Sequence, residues 1–529
     1  MRTAQRNSEL AEHAYASGLW VRETLADSLA AAARDTPRRE VLVDGPVRLD
    51  CATLHELATG MAGAMGARMP VGSVVSFMLP NWHEAAIVYH AATAAGMVVN
   101  PILPSLRDHE LAFILADADV RMIFIPADFA GHDYPAMLQR VTATMPSPPL
   151  VVVVRGEPQS GQFRFDSLGA VAPAALPSVD PDAVRMIMYT SGTTGRPKGV
   201  LHSQNSIHAL ICQLGEHWRV GPGSVYLVPS PIAHIGGSIY AFEFPILLGT
   251  VAVLMERWDA DAAVEIMVAE GCTHMSGATP FLAHLLAAAQ RAGTRLPELK
   301  VFICGGASVP PALIRSAAGY FEQAVVTRVY GSTEVPVITV GAPGDPDHAA
   351  DTDGRPGIAT VTIAAHTAAE DAAGEIRARG PQMLLGYLHP EDETDAFDAD
   401  GNFRTGDLGR WVDGHYLVVT GRAKDIVIRN GENIAPKEVE DVLLGHPDVR
   451  EIAIVGIPDP RTGERACAVV VADTLPGPGV ADLRDFLQAT GVAKFKWPEQ
   501  VVIWDSLPKN DAGKILKHRI RARLVEADG

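Results

Sequence analysis

Residues 189–200 combine the side chains that a polyphosphate-binding loop needs; they read Tyr-Thr-Ser-Gly-Thr-Thr-Gly-Arg-Pro-Lys-Gly-Val. Glycines let backbone N–H groups approach an anion, hydroxyls add donors, and Lys198 adds a positive charge. The stretch is not a Walker A loop, because Gly199 and Val200 follow the lysine where that loop has Ser or Thr. It predicts a phosphate-binding loop between an apolar strand and a helical stretch. The candidate ligands are Thr190, Ser191, Gly192, Thr193, Thr194, Gly195 and Lys198.

Two further motifs each offer a carboxylate. Tyr-Gly-Ser-Thr-Glu at 330–334 follows an apolar strand candidate, and open α/β sheets bind ligands beyond the ends of such strands. An oxygen donor such as Glu334 near a triphosphate is the usual way to hold Mg²⁺. Phe-Arg-Thr-Gly-Asp at 403–407 puts Asp407 after a tight turn, where its carboxylate can accept two ribose hydroxyls. Taken singly, each of these two motifs fits an ordinary turn as well as it fits a ligand-binding site.

Two basic motifs lie in the last quarter of the chain. Gly-Arg-Ala-Lys-Asp-Ile at 421–426 leads into Asn-Gly-Glu-Asn-Ile at 430–434. Pro-Lys-Asn-Asp-Ala-Gly-Lys-Ile at 508–515 lies near the chain end. Because Gly513 lets the backbone bend, we expect Lys514 to project from a mobile loop.

The elements that must position these motifs follow an α/β pattern. Short apolar runs alternate with Ala-rich segments over residues 74–330, as in βα units around mostly parallel sheets. Gly, Pro and Asp with short strand-like pieces dominate residues 341–421, which indicates a small β-rich subdomain. We therefore predict a large N-terminal domain, 1–423, of two α/β subdomains with mostly parallel sheets plus this β-rich subdomain. A small mobile α+β C-terminal domain, 424–529, follows it.

Composition excludes several classes of protein. The chain has 529 residues, of which 47% are hydrophobic, so it can bury a large core and is not disordered. A net charge of −18 argues against a surface that follows nucleic-acid phosphates. Five scattered cysteines without a C-x-x-C pair favour a reducing compartment and no zinc site. No secretory signal and no membrane span is visible, so we expect a cytoplasmic protein.

With all five motifs in this order, the chain is identified as a member of the adenylate-forming superfamily of acyl- and aryl-CoA synthetases, peptide-synthetase adenylation domains and beetle luciferases. The resemblance covers nearly the whole length. The N-terminal half, with Leu-Pro-Asn-Trp at 79–82, Tyr-His-Ala-Ala at 89–92 and Asn-Pro at 100–101, most resembles bacterial CoA ligases for medium-chain and cyclic carboxylic acids.

The resemblance implies two half-reactions that use ATP, Mg²⁺ and coenzyme A. A carboxylate attacks the α-phosphorus of ATP to give acyl-AMP and pyrophosphate, and a thiol then attacks the acyl-AMP to give a thioester and AMP. It implies that Lys514 stabilises the charge between carboxylate and α-phosphate, that Asp407 and Arg422 take the ribose hydroxyls, and that Glu334 with Thr190 or Thr194 positions Mg²⁺. The implied catalytic residues are Lys514, Glu334, Thr190 and His234. Further implied nucleotide contacts are Gly305, Gly306, Ala307, Tyr330, Gly331, Ser332 and Thr333.

By the same resemblance, the small domain rotates between the two steps. The hinge is then Lys424, for which an ordinary exposed loop lysine is the alternative. The strand with Asn430, Gly431 and Glu432 is expected to line the thiol channel, where Gly431 leaves room for the pantetheine arm.

The acid pocket is expected around residues 230–237, which resemble the family's Pro-x-x-His-x-x-Gly stretch. His234 then borders the acyl group, although a lone His beside apolar residues is more often a packed core residue. The implied pocket residues are His234, Gly237, Gly305, Gly331 and Pro336, with the strand-end glycines leaving volume. Residues 235–242 contain no carboxylate before Glu243, and Gly237 stands where amino-acid-activating relatives have an aspartate. A buried ammonium would lack a partner, so an aliphatic, alicyclic or aromatic acid is expected.

Three functions remain open at this point. The leading one is a carboxylate–CoA ligase that makes acyl-CoA, AMP and pyrophosphate. The second is an acyl-AMP ligase that loads a carrier protein, and the third is a catalytically silent nucleotide or acyl-ligand binder on the same fold. The expected partners are a small carboxylic acid, ATP and CoA, with an acyl carrier protein in the second case and no nucleic acid. The oligomeric state is open, a homodimer included.

Overall fold

Alternating strands and helices run through most of the chain. The computed structural model describes residues 8–169, 176–190, 196–306, 309–341, 343–365, 373–429, 432–459, 462–510 and 513–528. The helices are α1 (Ser8–Ala16), α2 (Leu25–Asp35), α3 (Cys51–Gly66), α4 (His83–Ala94), α5 (Asp108–Asp117), α6 (Tyr134–Thr142), α7 (Gln204–His217), α8 (Ile235–Ser238), α9 (Phe244–Leu247), α10 (Ala260–Glu270), α11 (Thr279–Ala292), α12 (Pro311–Tyr320), α13 (Pro436–Leu443), α14 (Val480–Ala489) and α15 (Lys517–Asp528). A π turn, Ile239–Glu243, joins α8 to α9.

The strands are, in chain order, β1 (Glu40–Asp44), β2 (Val47–Asp50), β3 (Val74–Phe77), β4 (Val98–Pro101), β5 (Val120–Pro126), β6 (Asp128–Phe129), β7 (His132–Asp133), β8 (Leu150–Val154), β9 (Phe163–Arg164), β10 (Val184–Thr190), β11 (Lys198–Ser203), β12 (Val225–Val228), β13 (Val251–Leu254), β14 (His274–Gly277), β15 (Val301–Gly305), β16 (Val325–Tyr330), β17 (Thr339–Val340), β18 (Arg355–Pro356), β19 (Thr360–Ala365), β20 (Gly374–Arg379), β21 (Gly386–Tyr387), β22 (Phe403–Val412), β23 (Tyr416–Arg422), β24 (Val427–Arg429), β25 (Glu432–Ile434), β26 (Val449–Asp459), β27 (Gly463–Ala472) and β28 (Gln500–Ile503).

Two large sheets form the body of the molecule. One has the order β18-β17-β16-β15-β14-β12-β13-β1-β2, and its strands from β16 to β1 run parallel. The other has the order β21-β11-β10-β4-β3-β5-β8-β9, with parallel strands from β10 to β9. One apolar core joins both sheets through α3, α4 and α7. The predicted α/β class with mostly parallel sheets is confirmed.

The predicted β-rich segment is less separate than the composition indicates. Strands β19, β20, β22 and β23 form a four-stranded antiparallel sheet of their own. However, β18 pairs with β17 and β21 pairs with β11, so both extend the edges of the large sheets. These short pairings tie the segment that carries Asp407 to the sheets that carry the other motifs.

The C-terminal part of the chain forms another sheet, in which β24, β25, β26 and β27 are antiparallel and β28 lies parallel to β27. Helices α13 and α14 share a core with one face of this sheet, and α15 packs on β26. The boundary expected at residue 424 lies in a short 3₁₀ turn, Ala423–Asp425, between β23 and β24. Within the described residues, no helix has the length and apolarity needed to span a bilayer.

A buried ion pair links the start of β10 to the π turn. Arg185 Nη2 lies 2.6 Å from Glu243 Oε1, and the Tyr89 hydroxyl donates to the same oxygen at 2.5 Å. The side chains of Arg185 and Glu243 are almost completely buried. Each charge therefore depends on the other, because removing one partner leaves an uncompensated charge in the interior.

We predict that Glu243→Ala lowers the free energy of unfolding of the large domain by about 3–5 kcal/mol, because Arg185 then loses its counter-ion. Urea unfolding followed by circular dichroism measures this change. Glu265→Ala on α10 is the matched control, since Glu265 is exposed and should cost less than about 0.5 kcal/mol. Equal losses in both variants would contradict a stabilising buried pair.

Candidate active site

The candidate phosphate-binding motif connects two paired antiparallel strands. β10 ends at Thr190 and β11 begins at Lys198, and these two residues face each other across the ladder. The pattern did not predict β11, which separates the loop from α7 and pairs with β10 on one side and β21 on the other. Ser191, Gly192, Thr193, Thr194 and Gly195 lie outside the described residues.

Two basic side chains beside this turn converge on Asp392. Arg196 Nη2 lies 2.8 Å from Asp392 Oδ1, and Lys198 Nζ lies 3.6 Å from the same oxygen. Lys198 Nζ also lies 5.2 Å from the ring centroid of Tyr387. Arg196 and Lys198 thus share one carboxylate as their counter-ion. Sequence spacing gave no signal for Asp392, which lies 196 residues beyond Arg196.

Glu334 lies in the loop after β16 and carries oxygen atoms of the kind that a hard cation binds. Its Oε1 accepts a 3.0 Å hydrogen bond from the Tyr387 hydroxyl. Burial, followed by the nearby Glu334 charge, raises the pKa of Tyr387, so the phenol stays a donor. Glu334 and Thr190 are both half-buried, and their carboxylate and hydroxyl fit Mg²⁺ chemically.

His202 on β11 fixes the loop that carries Glu334. Its Nε2 donates to the Thr333 carbonyl at 2.7 Å. Burial lowers the pKa of His202 to about 4, so the ring is neutral near pH 7. The Val335 N–H donates to Ser332 Oγ at 3.2 Å and closes the turn. The sequence offered no signal for His202, which lies 131 residues from Thr333 in the chain and in a different sheet from β16.

Asp407 and Arg422 are cross-strand neighbours on β22 and β23. Arg422 Nε lies 2.8 Å from Asp407 Oδ1, and the Tyr330 hydroxyl donates to Asp407 Oδ2 at 2.8 Å. Asp407 lies within the long strand β22, where Gly406 has a φ of +68°, rather than after a separate turn. Three of the five motifs therefore meet at one carboxylate.

Lys514 approaches this carboxylate from the C-terminal domain. The Lys514 N–H donates to Asn510 Oδ1 at 2.8 Å, which folds the loop back on itself. Gly513 lies against α11: a Cβ built there would be 3.6 Å from Pro280 Cγ. Burial, together with the positive charge of Arg422, lowers the pKa of Lys514 to about 8, while Asp407 opposes the shift. The catalytic candidate thus lies near enough to Asp407 and Arg422 for both of their charges to affect its pKa.

The hinge and thiol-channel candidates follow directly after Arg422. Lys424 lies in the 3₁₀ turn Ala423–Asp425 and is exposed. Glu432 begins β25, which pairs with β24 as a hairpin. Asn430 and Gly431 lie outside the described residues. The two candidate regions are thus continuous in the chain with the ribose-binding candidates.

His234 is half-buried at the start of α8. The preceding loop is held by Asn81, whose side-chain NH₂ donates to the carbonyl of Ser230 at 2.9 Å and whose Oδ1 accepts from the Ile232 N–H at 3.1 Å. Asn81 belongs to the Leu-Pro-Asn-Trp segment, and this holding role was not predicted. The side chains of Pro336 and Val335 are buried behind the Glu334 loop.

The explanation that glycine leaves volume in the pocket wall is wrong for Gly305 and Gly331, whereas the space beside Gly306 is open. A Cβ at Gly237 would lie 2.2 Å from the Pro231 carbonyl oxygen, and one at Gly305 would lie 2.4 Å from Val329 Cγ1. At Gly331 it would lie 2.4 Å from the Val337 nitrogen. These glycines allow segments of the protein to pack closely together, and the space beside each of them is filled by the protein itself.

The carboxyl ends of β14, β15 and β16 form a half-buried surface, which we call the cleft. The residues there are half-buried or exposed, whereas the strands below them are buried. They are residues 233–236, 277–281, 305–306 and 329–334. Gly306 is exposed, and Ala307 lies outside the described residues. This is the edge where open α/β sheets bind ligands, and Lys514 faces it from the other domain.

Comparisons with known proteins agree with this arrangement. The family described as AMP-binding enzyme matches residues 29–388, and the AMP-binding enzyme C-terminal domain matches residues 438–514. The medium-chain fatty-acid–CoA ligase of Escherichia coli is 32% identical, with 96% of this chain and 92% of that protein covered. A 7a-methyl-1,5-dioxo-octahydroindenyl-propanoyl:CoA ligase of Rhodococcus jostii is 33% identical over 94% and 98%.

Among solved structures, ATP-bound MatB from Rhodopseudomonas palustris matches with a TM-score of 0.84 and 26% identity, over 95% of this chain and all of that one. The matches extend across both the sheets and the C-terminal domain. The chain therefore belongs to the AMP-binding enzyme family and is an AMP-forming acid–thiol ligase that uses ATP, Mg²⁺ and coenzyme A.

Proposed function

We propose that this chain joins an uncharged-bodied medium-chain, alicyclic or aromatic carboxylic acid to CoA through an acyl-adenylate. One observation carries the proposal: Gly513, the neighbour of Lys514 in the C-terminal domain, lies against Pro280 of the large domain, where the charges of Arg422 and Asp407 act on the Lys514 ammonium. A lysine so placed serves the charge problem of the first half-reaction, in which a carboxylate approaches a polyphosphate.

In the proposed first step, Asp407 accepts the ribose hydroxyls while Arg422 and Tyr330 hold its two oxygens in place. Arg196 and Lys198 leave their counter-ion Asp392 and bind the departing phosphates instead. The Lys514 ammonium stabilises the negative charge that develops between the acid and the α-phosphate. Glu334 and Thr190 hold Mg²⁺, which supplies positive charge to the pyrophosphate group.

In the proposed second step, the thiol needs the space that Lys514 occupied. The C-terminal domain turns about Lys424 and brings the β24–β25 hairpin, with Glu432, to the site. Lys424 suits this role because it lies in the short turn between two sheets and two residues after Arg422. A small change of backbone angles there moves every later residue.

The specificity for the carboxylic acid follows from the residues that form the wall of the proposed pocket beside His234. Residues 235–242 carry no charge, and Glu243, the first acid after them, is paired with Arg185. An α-ammonium would therefore find no partner there, which disfavours an amino acid. The named substrates of the two similar ligases, a medium-chain fatty acid and a fused-ring propanoic acid, also have uncharged bodies.

We favour CoA over a carrier protein as the acceptor because both of these relatives are CoA ligases. A silent binder is disfavoured, since Lys514, Glu334 and Asp407 are all present. ATP, CoA and five free cysteines suit the cytoplasm as the working compartment. Incubation with ATP, a panel of straight-chain, cyclic and aromatic acids, and either CoA or a phosphopantetheinylated carrier tests the proposal. Acid-dependent AMP and acyl-CoA support it; AMP only with the carrier supports the alternative acceptor.

We predict that Lys514→Ala lowers acid-dependent pyrophosphate release by about 100-fold or more, because it removes the charge that stabilises the transition state. The ATP dissociation constant, measured by calorimetry, should change little. Lys517→Ala is the matched control, since Lys517 pairs with Glu440 inside its own domain at 2.7 Å. Near-normal pyrophosphate release from Lys514→Ala would remove this lysine from the mechanism.

The first half-reaction should also report the lowered pKa of Lys514. Its ammonium is present below pH 8 and is lost as the pH rises through about 8. With ATP well below saturation and no CoA, kcat/KM should therefore fall about tenfold between pH 7 and pH 9. A flat profile up to pH 10 would contradict the catalytic role of the charged lysine.

For Lys424→Pro, we predict that acyl-AMP still forms while thioester formation stalls, because the ring fixes φ in the hinge turn. Quenched-flow chromatography of acyl-AMP and acyl-CoA separates the two steps. Lys424→Ala, which removes the side chain but keeps the backbone free, should support both steps. If both steps fall equally in the proline variant, Lys424 is not the hinge.

A further inference from the structure

Three buried hydroxyl groups meet beneath the cleft beside His234. They belong to Tyr226 on β12, Tyr240 in the π turn and Ser276 on β14. The hydroxyls of Tyr226 and Ser276 share a hydrogen bond, and both influence the pKa of the neighbouring Tyr240 hydroxyl. The two tyrosine rings are stacked, with centroids 4.7 Å apart and an angle of 22° between the planes. We call this group the hydroxyl cluster.

The hydroxyl cluster lies directly below the cleft. Ser276 precedes Gly277, where β14 ends and the half-buried residues begin. Tyr240 follows Gly236 by one helical turn, and a Cβ at Gly236 would lie 3.5 Å from the Tyr240 ring and 3.7 Å from its hydroxyl oxygen. Because Gly236 has no side chain and is half-buried, the hydroxyl edge of Tyr240 is open towards the cleft.

Among the described residues, the rings packed on the cluster carry no charge. Tyr226 also contacts Phe244 edge-on at 5.4 Å and stacks on His274 at 5.9 Å. Burial lowers the pKa of His274 to about 4, so this ring is neutral near pH 7. A second carboxylate, a sulfonate or an ammonium would find no counter-ion here. A neutral oxygen atom of the substrate is the group that suits the hydroxyl cluster.

Hydroxyls are suited to bind such an oxygen because each donates one hydrogen bond and accepts two. The hydroxyls of Tyr226 and Ser276 share one hydrogen bond, and a hydroxyl can rotate to offer its hydrogen to a carbonyl or alcohol above it. The hydroxyl cluster also limits how deeply a substrate can enter, because Ser276 lies one residue before the end of β14. A long unbranched chain would have to displace the two stacked tyrosines.

We propose that Tyr226, Tyr240 and Ser276 form a subsite for a hydroxyl or keto oxygen at the far end of the acid. The substrate is then a compact oxo- or hydroxy-carboxylic acid rather than a plain fatty acid. The inference rests on the proposed function, because it takes the cleft beside His234 as the acid pocket.

Matched acid pairs test the subsite. The panel is 4-oxocyclohexanecarboxylate and 4-hydroxycyclohexanecarboxylate against cyclohexanecarboxylate, and 5-oxohexanoate against hexanoate. The readout is the ratio of kcat/KM for the oxygenated acid to kcat/KM for its plain analogue, in acid-dependent pyrophosphate release. We expect a ratio of about ten or more for at least one pair, the size that one net hydrogen bond supplies. Loss of folded enzyme does not alter this ratio.

Tyr240→Phe and Ser276→Ala each remove one hydroxyl, and the ratio should fall towards one in both. Gly236→Ala keeps all three hydroxyls but places a methyl group over the edge of Tyr240, so the ratio should fall here too, even where the other variants fold poorly. Tyr320→Phe is the matched control, since the Tyr320 hydroxyl donates to backbone carbonyls at Ala289 and Thr294 and lies outside the pocket. Its ratio should equal that of the wild type.

The outcomes separate the two claims. If plain acids are activated but no pair exceeds a ratio of about two, or the ratio is the same in Gly236→Ala and the wild type, the subsite is overturned while the ligase function stands. If no acid in the panel supports pyrophosphate release, the proposed function fails and the subsite fails with it. A high ratio that falls in Gly236→Ala and is unchanged in Tyr320→Phe supports both.

Discussion

The carboxylate of Asp407 is the point on which the arrangement of the site depends. It is held on one side by Arg422 from the next strand and on the other by the Tyr330 hydroxyl, and Lys514 approaches from the C-terminal domain. Asp407 is buried, and a buried carboxylate is costly without such partners. Sequence segments up to about two hundred residues apart are therefore brought together by one charged group, which in our proposal accepts the two ribose hydroxyls.

The order of these residues along the chain allows Lys514 to move relative to Asp407. Arg422 ends β23, Lys424 follows in a three-residue turn, and β24 begins the C-terminal sheet at Val427. In our account, a rotation at this turn moves Lys514 away while Asp407 and Arg422 keep the nucleotide. The buried pair of Arg185 and Glu243 stays with the large domain. The wall of the proposed acid pocket, residues 235–242, therefore need not move with Lys514.

Much of this arrangement could be predicted from the sequence, because local patterns decide it. Strand-like runs followed by glycine-rich motifs indicated the parallel sheets and the motifs at their ends, and Asp407, Arg422 and Tyr330 do meet. What failed depends on contacts between distant segments. The space beside Gly237, Gly305 and Gly331 is filled by other segments of the protein, and β11 forms because it finds partners on both sides. Asp392, His202 and the hydroxyl cluster likewise join elements whose separation in sequence carries no pattern.

The central claim is that the loop of Lys514 lies on the large domain for adenylation and must leave for thioester formation. A disulfide between Pro280→Cys and Gly513→Cys, residues that are in contact here, would hold it in place. The measurement is acid-dependent ATP–pyrophosphate exchange together with acyl-CoA formation, before and after reduction. Our account predicts that the oxidised enzyme keeps exchange, loses acyl-CoA formation, and regains it on reduction. An oxidised enzyme that still makes acyl-CoA at the full rate, or loses exchange until it is reduced, would contradict it.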